Sequence, residues 1–149
     1  MTMRDLHDNI ATVVAVAPQT IAGANLQSGN IDLQGFNSAE IVVALGDIDE
    51  LGGSPVGSAK VELKLEHADD DGTGNPGAFG NVTLAEVIGP ASVTGGIVGS
   101  TTNDNAVRIE VGYLGDKRFI RATLVPTGLT NGGPVCALVL KGHPRHAPQ

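Results

Sequence analysis

The stretch that decides the fold is Lys60-Val61-Glu62-Leu63-Lys64-Leu65-Glu66, in which charged and aliphatic side chains alternate without a break. Successive side chains of a β-strand point to opposite faces, so this alternation predicts a half-buried strand with Val61, Leu63 and Leu65 facing a core. Two further runs, residues 41–45 (IVVAL) and 134–140 (PVCALVL), are almost wholly apolar. They predict more fully buried strands, since apolar side chains then point to both faces.

Weaker strand patterns lie at residues 13–16, 30–33 and 81–87, and residues 84–88 predict at most a short helical turn. No segment has a convincing helical stripe, and loops rich in Gly, Asn, Asp and Pro separate the strands. Many short strands with turn signals between them are typical of a sandwich or barrel. We therefore predict an all-β, single-domain antiparallel β-sandwich, jelly-roll-like, with extended N- and C-terminal arms.

Within this domain, we assign residues 1–29 to an N-terminal arm with the first strand or strands. Residues 30–142 form the predicted sandwich, and residues 143–149 an extended C-terminal tail that holds two prolines. A chain of about 150 residues buries roughly two thirds of its unfolded surface, so one domain needs no covalent staples.

The dipeptide Gly115-Asp116 predicts a two-residue β-hairpin turn between residues 106–114 and 117–125. In that register Glu110 lies opposite Arg121 and Phe119 opposite Gly112, while one face is apolar throughout. The prediction is specific enough to fail: any other partner for Glu110 contradicts it.

Composition excludes several function classes. With a formal charge of −7 and 3% aromatic residues, the chain lacks the basic surface and the stacking side chains of a nucleic-acid binder. No apolar run reaches the roughly 20 residues of a membrane span. The apolar residues 10–17 follow Asp5 and Asp8, which argues against a signal peptide and for synthesis in the cytoplasm. The single cysteine, Cys136, excludes an internal disulfide and predicts a buried small hydrophobe.

Charge is divided unevenly along the chain. Residues 30–105 hold twelve acids against Lys60 and Lys64, a balance of −10, while residues 106–149 hold six bases against two acids, a balance of +4. This division favours charge-complementary contacts with other protein surfaces, or else solvated sheet faces.

Candidate chemistry is sparse. Asp69-Asp70-Asp71-Gly72 is the best metal candidate, although it lacks the alternating spacing of an EF-hand and is better explained as an acidic loop tip. His143 and His146 have a zinc-like spacing, but no third ligand lies nearby. The chain has no G-x-S-x-G motif and no P-loop spacing. We expect neither an enzyme nor a cofactor.

Five segments, taken in order along the chain, resemble the head decoration, or cement, proteins of tailed bacteriophages. They are residues 3–10 (MRDLHDNI), 31–36 (IDLQGF), 61–70 (VELKLEHADD), 112–121 (GYLGDKRFIR) and 141–148 (KGHPRHAP). Some proteins of that family are sandwiches or jelly rolls bound outside the capsid shell. The resemblance implies a non-enzymatic structural role on the virion exterior, with the major capsid protein as partner and a homo-oligomer, dimer or trimer, on the lattice.

For such a role, we expect contacts from the apolar arm, the basic residues and the C-terminal tail. The predicted contact residues are Ile10, Val13, Val14, Val16, Arg108, Lys117, Arg118, Arg121, His143, Arg145 and His146. The alternative is a carbohydrate- or host-surface-binding sandwich module of a virion, although the chain has only four aromatic side chains to offer a sugar. A small Ca²⁺-dependent enzyme ranks third.

Overall fold

The structure, a computed structural model, describes residues 6–105 and 107–145. Two single-turn 3-10 helices, His7–Asn9 and Leu84–Glu86, accompany eleven strands. The strands are β1 (Ile10–Ile21), β2 (Leu26–Gln27), β3 (Ile31–Asp32), β4 (Phe36–Leu45), β5 (Lys60–Ala68), β6 (Gly80–Asn81), β7 (Val87–Ile88), β8 (Ile97–Thr101), β9 (Val107–Tyr113), β10 (Phe119–Thr127) and β11 (Gly133–Pro144).

The strands form two antiparallel sheets packed face to face. Sheet A has the order β1-β11-β4-β9-β7. In sheet B, β2 and β3 pair successively with β10, β10 pairs with β5, and β6 and β8 share the far edge of β5. If β2 and β3 count as one interrupted strand, β1-β11-β4-β9 and β2/β3-β10-β5-β8 follow the strand order of a jelly roll. The predicted all-β sandwich is confirmed.

The core lies between the sheets, and β4, β5 and β11 contribute to it by alternation of inward and outward side chains. In β5, Val61, Leu63 and Leu65 are fully buried, as the sequence predicts. They pack in the same cluster as Ile41 and Val43 of β4, on the opposite sheet. At about 25 cal/mol per Å² of apolar area removed from water, this burial is the main term that favours folding.

The predicted hairpin is wrong, because β9 and β10 belong to opposite sheets. Glu110 lies opposite Val42 in sheet A, whereas Arg121 lies opposite Glu66 in sheet B. Residues 114–118 cross from one sheet to the other instead of turning within one. The apolar faces of β9 and β10 thus meet across the core. This arrangement buries the same apolar side chains that a hairpin would bury. Gly115 is needed here for another reason: a Cβ there would collide with the Tyr113 hydroxyl.

Sheet A includes residues of both predicted terminal segments. β1 pairs with β11 along its length, from Ile10 opposite Gly142 to Ile21 opposite Gly133, so the N-terminal segment is an edge strand of sheet A. At the other end, β11 continues past residue 142, and Pro144 pairs with Phe36. Residues 10–21 and the end of β11 at Pro144 thus belong to the sandwich, because their backbone groups complete its hydrogen-bond ladders.

The two apolar runs are buried on one face only. Ile41, Val43 and Leu45 face the core, whereas Val42 is half-buried and Ala44 is exposed. The second run behaves alike, with Val135, Ala137 and Val139 inward and their neighbours outward. Cys136 accordingly is half-buried on the outer side rather than in the core. The expectation of cover on both faces fails because no further layer of the described chain lies over sheet A.

Candidate docking surfaces

The outer side of sheet A is apolar across three adjacent strands. We call this surface the apolar face, and its members are Val14 of β1, Val42 and Ala44 of β4, and Cys136, Leu138 and Leu140 of β11. None of these six residues belongs to the buried core. Val14 and Ala44 are exposed and the other four are half-buried, so this contiguous apolar surface is a candidate site for binding another molecule.

The strand register places these side chains side by side. Val14 pairs with Leu138, and Leu138 pairs with Val42, so the three form one row across β1, β11 and β4. In the next row Cys136 lies opposite Ala44. The row ends at the edge strand, where Val14 is 59% exposed. The side chains in these rows are short and lie on the face of a sheet, so they suit contact with an extended partner surface.

Charged groups border this face on the β9 side. Arg108 lies opposite Ala44 and Glu110 opposite Val42, and the Arg108 Nε donates to Glu110 Oε1 at 2.9 Å. Glu40 sits in the neighbouring row, opposite Leu140. Burial raises the pKa of the Glu40 carboxyl, and the nearby charge of Glu110 adds to the rise. An apolar centre with a polar rim is the usual anatomy of a protein interface.

The outer side of sheet B is the opposite in character. We call it the charged face, and it consists of Lys60, Glu62, Lys64 and Glu66 of β5 with Arg121 of β10. The Arg121 guanidinium donates to Glu66 Oε2 at 2.8 and 3.1 Å, and it stacks over the Phe79 ring at 4.2 Å. Burial alone raises the pKa of Glu66, but hydrogen bonds from Arg121 and Lys64 outweigh it and leave the pKa below its ordinary value.

The acidic loop proposed as a metal site is tied to basic side chains of the same chain. Lys117 Nζ lies 2.5 Å from Asp69 Oδ2, and Arg118 bonds both Asp70 and Asp32. Backbone N–H groups of Gly74 and Gly72, followed by Arg118, lower the pKa of Asp70. Asp71 accepts hydrogen bonds from Thr73, which lower its pKa as well. In the described part of the chain, no group of three His, Cys, Asp or Glu side chains is arranged to hold a metal.

The sequence-predicted contact residues of the N-terminal segment are divided between the two sides of sheet A. Val16 is buried in the core, and Val13 packs against it from a half-buried position. Ile10 is half-buried at the start of β1. Only Val14 of this group lies on the apolar face. A bulge between Val14 and Val16 shifts the register at this point.

The predicted basic contact residues differ in whether they are paired within the chain. Lys117, Arg118 and Arg121 have carboxylate partners within the chain, so the acidic middle and basic end of the sequence pair largely with each other. Arg108 differs, since its side chain is 72% exposed at the rim of the apolar face.

The C-terminal contact residues lie at one end of the sandwich. His143 Nδ1 is 2.8 Å from Ser38 Oγ, and the Arg145 Nε donates to Asn37 Oδ1. His146 lies outside the described residues, so the proposed His143–His146 pair is not tested.

An open cavity of about 420 Å³ lies beside this C-terminal segment, between β4 and the β9–β10 crossing. Phe36, Tyr113, Lys117 and Arg145 are among its lining residues. Lys141 Nζ sits over the Phe36 ring at 4.6 Å, so one face of that ring is already occupied. Sugar-binding sites present free aromatic faces, which makes this cavity a poor platform for a sugar.

Comparison with known proteins adds no relative: the chain matches no protein-family model and no curated protein sequence. Within residues 6–105 and 107–145, the structure contains no helix long and apolar enough to cross a membrane.

Five residues of the apolar face were not among the predicted contacts: Val42, Ala44, Cys136, Leu138 and Leu140. The signal for them was present in the two apolar runs, which carry aliphatic side chains at positions of both parities. A strand of that kind needs cover on two sides. In the described part of the chain, the fold leaves the outer side of these two strands without a further layer.

Proposed function

We propose that this protein is a decoration, or cement, protein that binds the outer surface of a bacteriophage capsid shell through its apolar face. The observation that carries the proposal is the uncovered row of Val14, Leu138 and Val42. The partner we propose, the major capsid protein, is the one implied by the five sequence segments that resemble phage head decoration proteins. Docking there places the protein on the virion exterior.

The physical argument rests on what the fold leaves unused. The core is complete without the apolar face, and none of its six residues belongs to the buried cluster. Their exposure costs free energy in solution, which a partner surface recovers at about 25 cal/mol per Å² buried. Few of these side chains are large, so no single residue acts as an anchor. A shell that binds many copies compensates by repetition.

The charged residues take a smaller part in this proposal than the sequence suggested. Lys117, Arg118 and Arg121 already have internal carboxylate partners, and breaking those pairs to reach a shell is unfavourable. Arg108 is the basic residue best placed to meet the partner, because it lies exposed beside the apolar face. The jelly roll itself does not decide the function, since lectin and capsid domains share it.

The test is cosedimentation of the purified protein with empty shells assembled from the major capsid protein of the phage that encodes it. We expect the wild type to pellet with the shells and Leu138→Lys to lose most of its occupancy, since the lysine buries a charge in the contact. Val125→Lys is the matched control: Val125 is also half-buried and outward-facing, but it lies on sheet B opposite Glu62.

Three outcomes decide the proposal. Equal occupancy of Leu138→Lys and the wild type removes the apolar face from the contact. A wild type that never pellets with shells overturns the function. Retention on immobilised glycans without shell binding supports the alternative, a carbohydrate- or host-surface-binding module.

A further inference from the structure

Of the four sheet edges within the described residues, three are protected against pairing with another strand. At one edge of sheet B, β2 and β3 are two residues long; at the other, β6 has two residues and β8 five. In sheet A, β9 carries Arg108 and Glu110, and β7 covers its end at Gly112 and Tyr113. Short strands, charges and partial cover are the devices by which natural sheets avoid edge-to-edge association.

The fourth edge, β1, is different. It is twelve residues long, Ile10–Ile21, and contains no ionisable side chain. In the described chain it pairs on one side only, with β11. Its irregular features, Pro18 and two register shifts, all follow Val14. Residues 10–14 are therefore uncharged and in continuous register, which is the form of edge that accepts another strand.

We propose that residues 10–14 form a homodimerisation edge, at which β1 of two copies pairs antiparallel about a two-fold axis at Thr12. In this register Thr12 faces Thr12 of the second copy, and Ile10 faces Val14. The two A sheets join into one continuous sheet of the dimer. This goes beyond capsid docking and does not depend on it.

Geometry favours a second copy as the occupant. A two-fold axis perpendicular to the sheet relates an antiparallel strand to itself, so every free N–H and C=O of one edge meets its complement in the other. Opposite residues have numbers that sum to 24, an even value, so outward side chains face outward ones. The axis at Thr12 uses all five regular residues, whereas an axis nearer the C-terminal end takes in the bulge after Val14.

Side-chain chemistry points the same way. Because residues 10–14 carry no charge, two copies meet without like-charge repulsion at the axis. The row of Val42, Leu138 and Val14 runs to the edge of the sheet, and across the axis Val14 faces Ile10 of the second copy, so an aliphatic contact forms on each side of Thr12. An isologous contact of this kind closes at two copies and does not propagate into a filament.

A dimer of this form places two apolar faces side by side on one surface. Linked sites bind a repeating surface more tightly than either does alone, because the second contact is intramolecular. Self-association and shell binding nevertheless have separate readouts, so one can fail while the other stands.

Cross-linking tests the register directly. In a Cys136→Ser background, Thr12→Cys is expected to give a covalent dimer with a short bis-maleimide, because residues directly opposite in a sheet have Cβ atoms about 4.5–5.5 Å apart. Thr20→Cys is the matched control: Thr20 is exposed on the same strand but lies beyond Pro18 and both register shifts. Cross-linking of Thr20→Cys as efficiently as Thr12→Cys overturns the register.

Sedimentation velocity tests the association itself. We expect a wild-type dimer, and Thr12→Lys is expected to raise its dissociation constant on the order of tenfold, since two ammonium groups then face each other at the axis. Thr20→Lys is expected to leave the constant unchanged. A wild type that is monomeric at its highest soluble concentration overturns the proposal. A dissociation constant that Thr12→Lys leaves unchanged overturns it as well. If Leu138→Lys weakens the dimer and Thr12→Lys does not, association belongs to the apolar face instead.

Discussion

The two outer faces of this sandwich differ in what they leave unsatisfied. On the charged face of sheet B, Lys60 pairs with Glu62, Lys64 with Glu66, and Arg121 with Glu66. On the apolar face of sheet A, apolar side chains lie in rows that no further layer of the described chain covers. The charges of one face are paired within the chain, whereas the other face leaves apolar side chains exposed or half-buried.

The difference teaches which surface of this protein to test for binding. Charged side chains in a sequence are natural candidates for binding, yet most of those on sheet B form ion pairs with one another. The outward-facing apolar residues of β4 and β11 look like core in the sequence but lie on the outer side of sheet A. Variants that separate stability from binding can therefore test whether the two faces have these different roles.

The largest expected effect distinguishes the two sides of one strand. Ile41→Ala removes a fully buried side chain from β4 and is expected to cost about 2–5 kcal/mol of unfolding free energy. Its neighbour Val42 lies on the apolar face, and Val42→Ala is expected to cost at most about 1 kcal/mol. Urea unfolding monitored by circular dichroism measures both. Equal losses at the two positions would mean that the apolar face belongs to the core.

A smaller effect compares the charges of the two sheets. Arg121→Gln leaves Glu66, whose side chain is 12% exposed, with Lys64 alone, and we expect a loss of about 1–2 kcal/mol. Arg108→Gln breaks an exposed pair and is expected to change stability by less than about 0.5 kcal/mol. The same urea titrations apply. If Arg108→Gln costs as much as Arg121→Gln, the internal pairing of sheet B has no special weight.

The smallest effect is a pH dependence at the edge of sheet B. Arg118 donates to Asp32 at 2.7 and 3.0 Å and holds the pKa of that carboxyl below its ordinary 3.8. A lowered carboxyl pKa stabilises the fold above the unfolded value, and the stabilisation is lost as the pH falls through the folded value. The urea midpoint of Arg118→Gln is therefore expected to lie below that of the wild type at pH 7.

Acidification provides the check on this pair. The difference in midpoint between the wild type and Arg118→Gln is expected to persist down to about pH 5 and to shrink once the pH falls below 3.8. Arg108→Gln serves as the exposed control, with little difference from the wild type at neutral pH. A difference for Arg118→Gln that is the same at pH 7 and pH 3 contradicts the assignment to Asp32.

Local patterns predicted the parts of the fold that depend on local geometry. The alternation at residues 60–66 placed β5 and its buried side chains correctly, because the pleat of a strand sends neighbours to opposite faces whatever surrounds it. The Gly115-Asp116 turn failed, since a sandwich can bring two amphipathic strands together side by side or across the core. Only the position of the crossing segment, packed against Tyr113, separates these cases.

The candidate site was harder to predict for a related reason. Val14 was found as an apolar residue near one end of the chain, but Val42 and Leu138 were assigned to the interior. Whether a doubly apolar strand is covered on one side or two depends on how many layers the chain folds into. That number is a property of the whole molecule.

By itself, the sequence determined that this protein is an all-β sandwich of short antiparallel strands with a core built by alternation. The tertiary structure decided which sheet each strand joins, which charges pair, and which apolar surface is left open. The physical reason is range: alternation acts between adjacent residues along a strand, whereas pairing and cover arise between segments distant in the chain. Residues 10–14 and the row from Val14 to Val42 acquire their proposed roles only through those distant contacts.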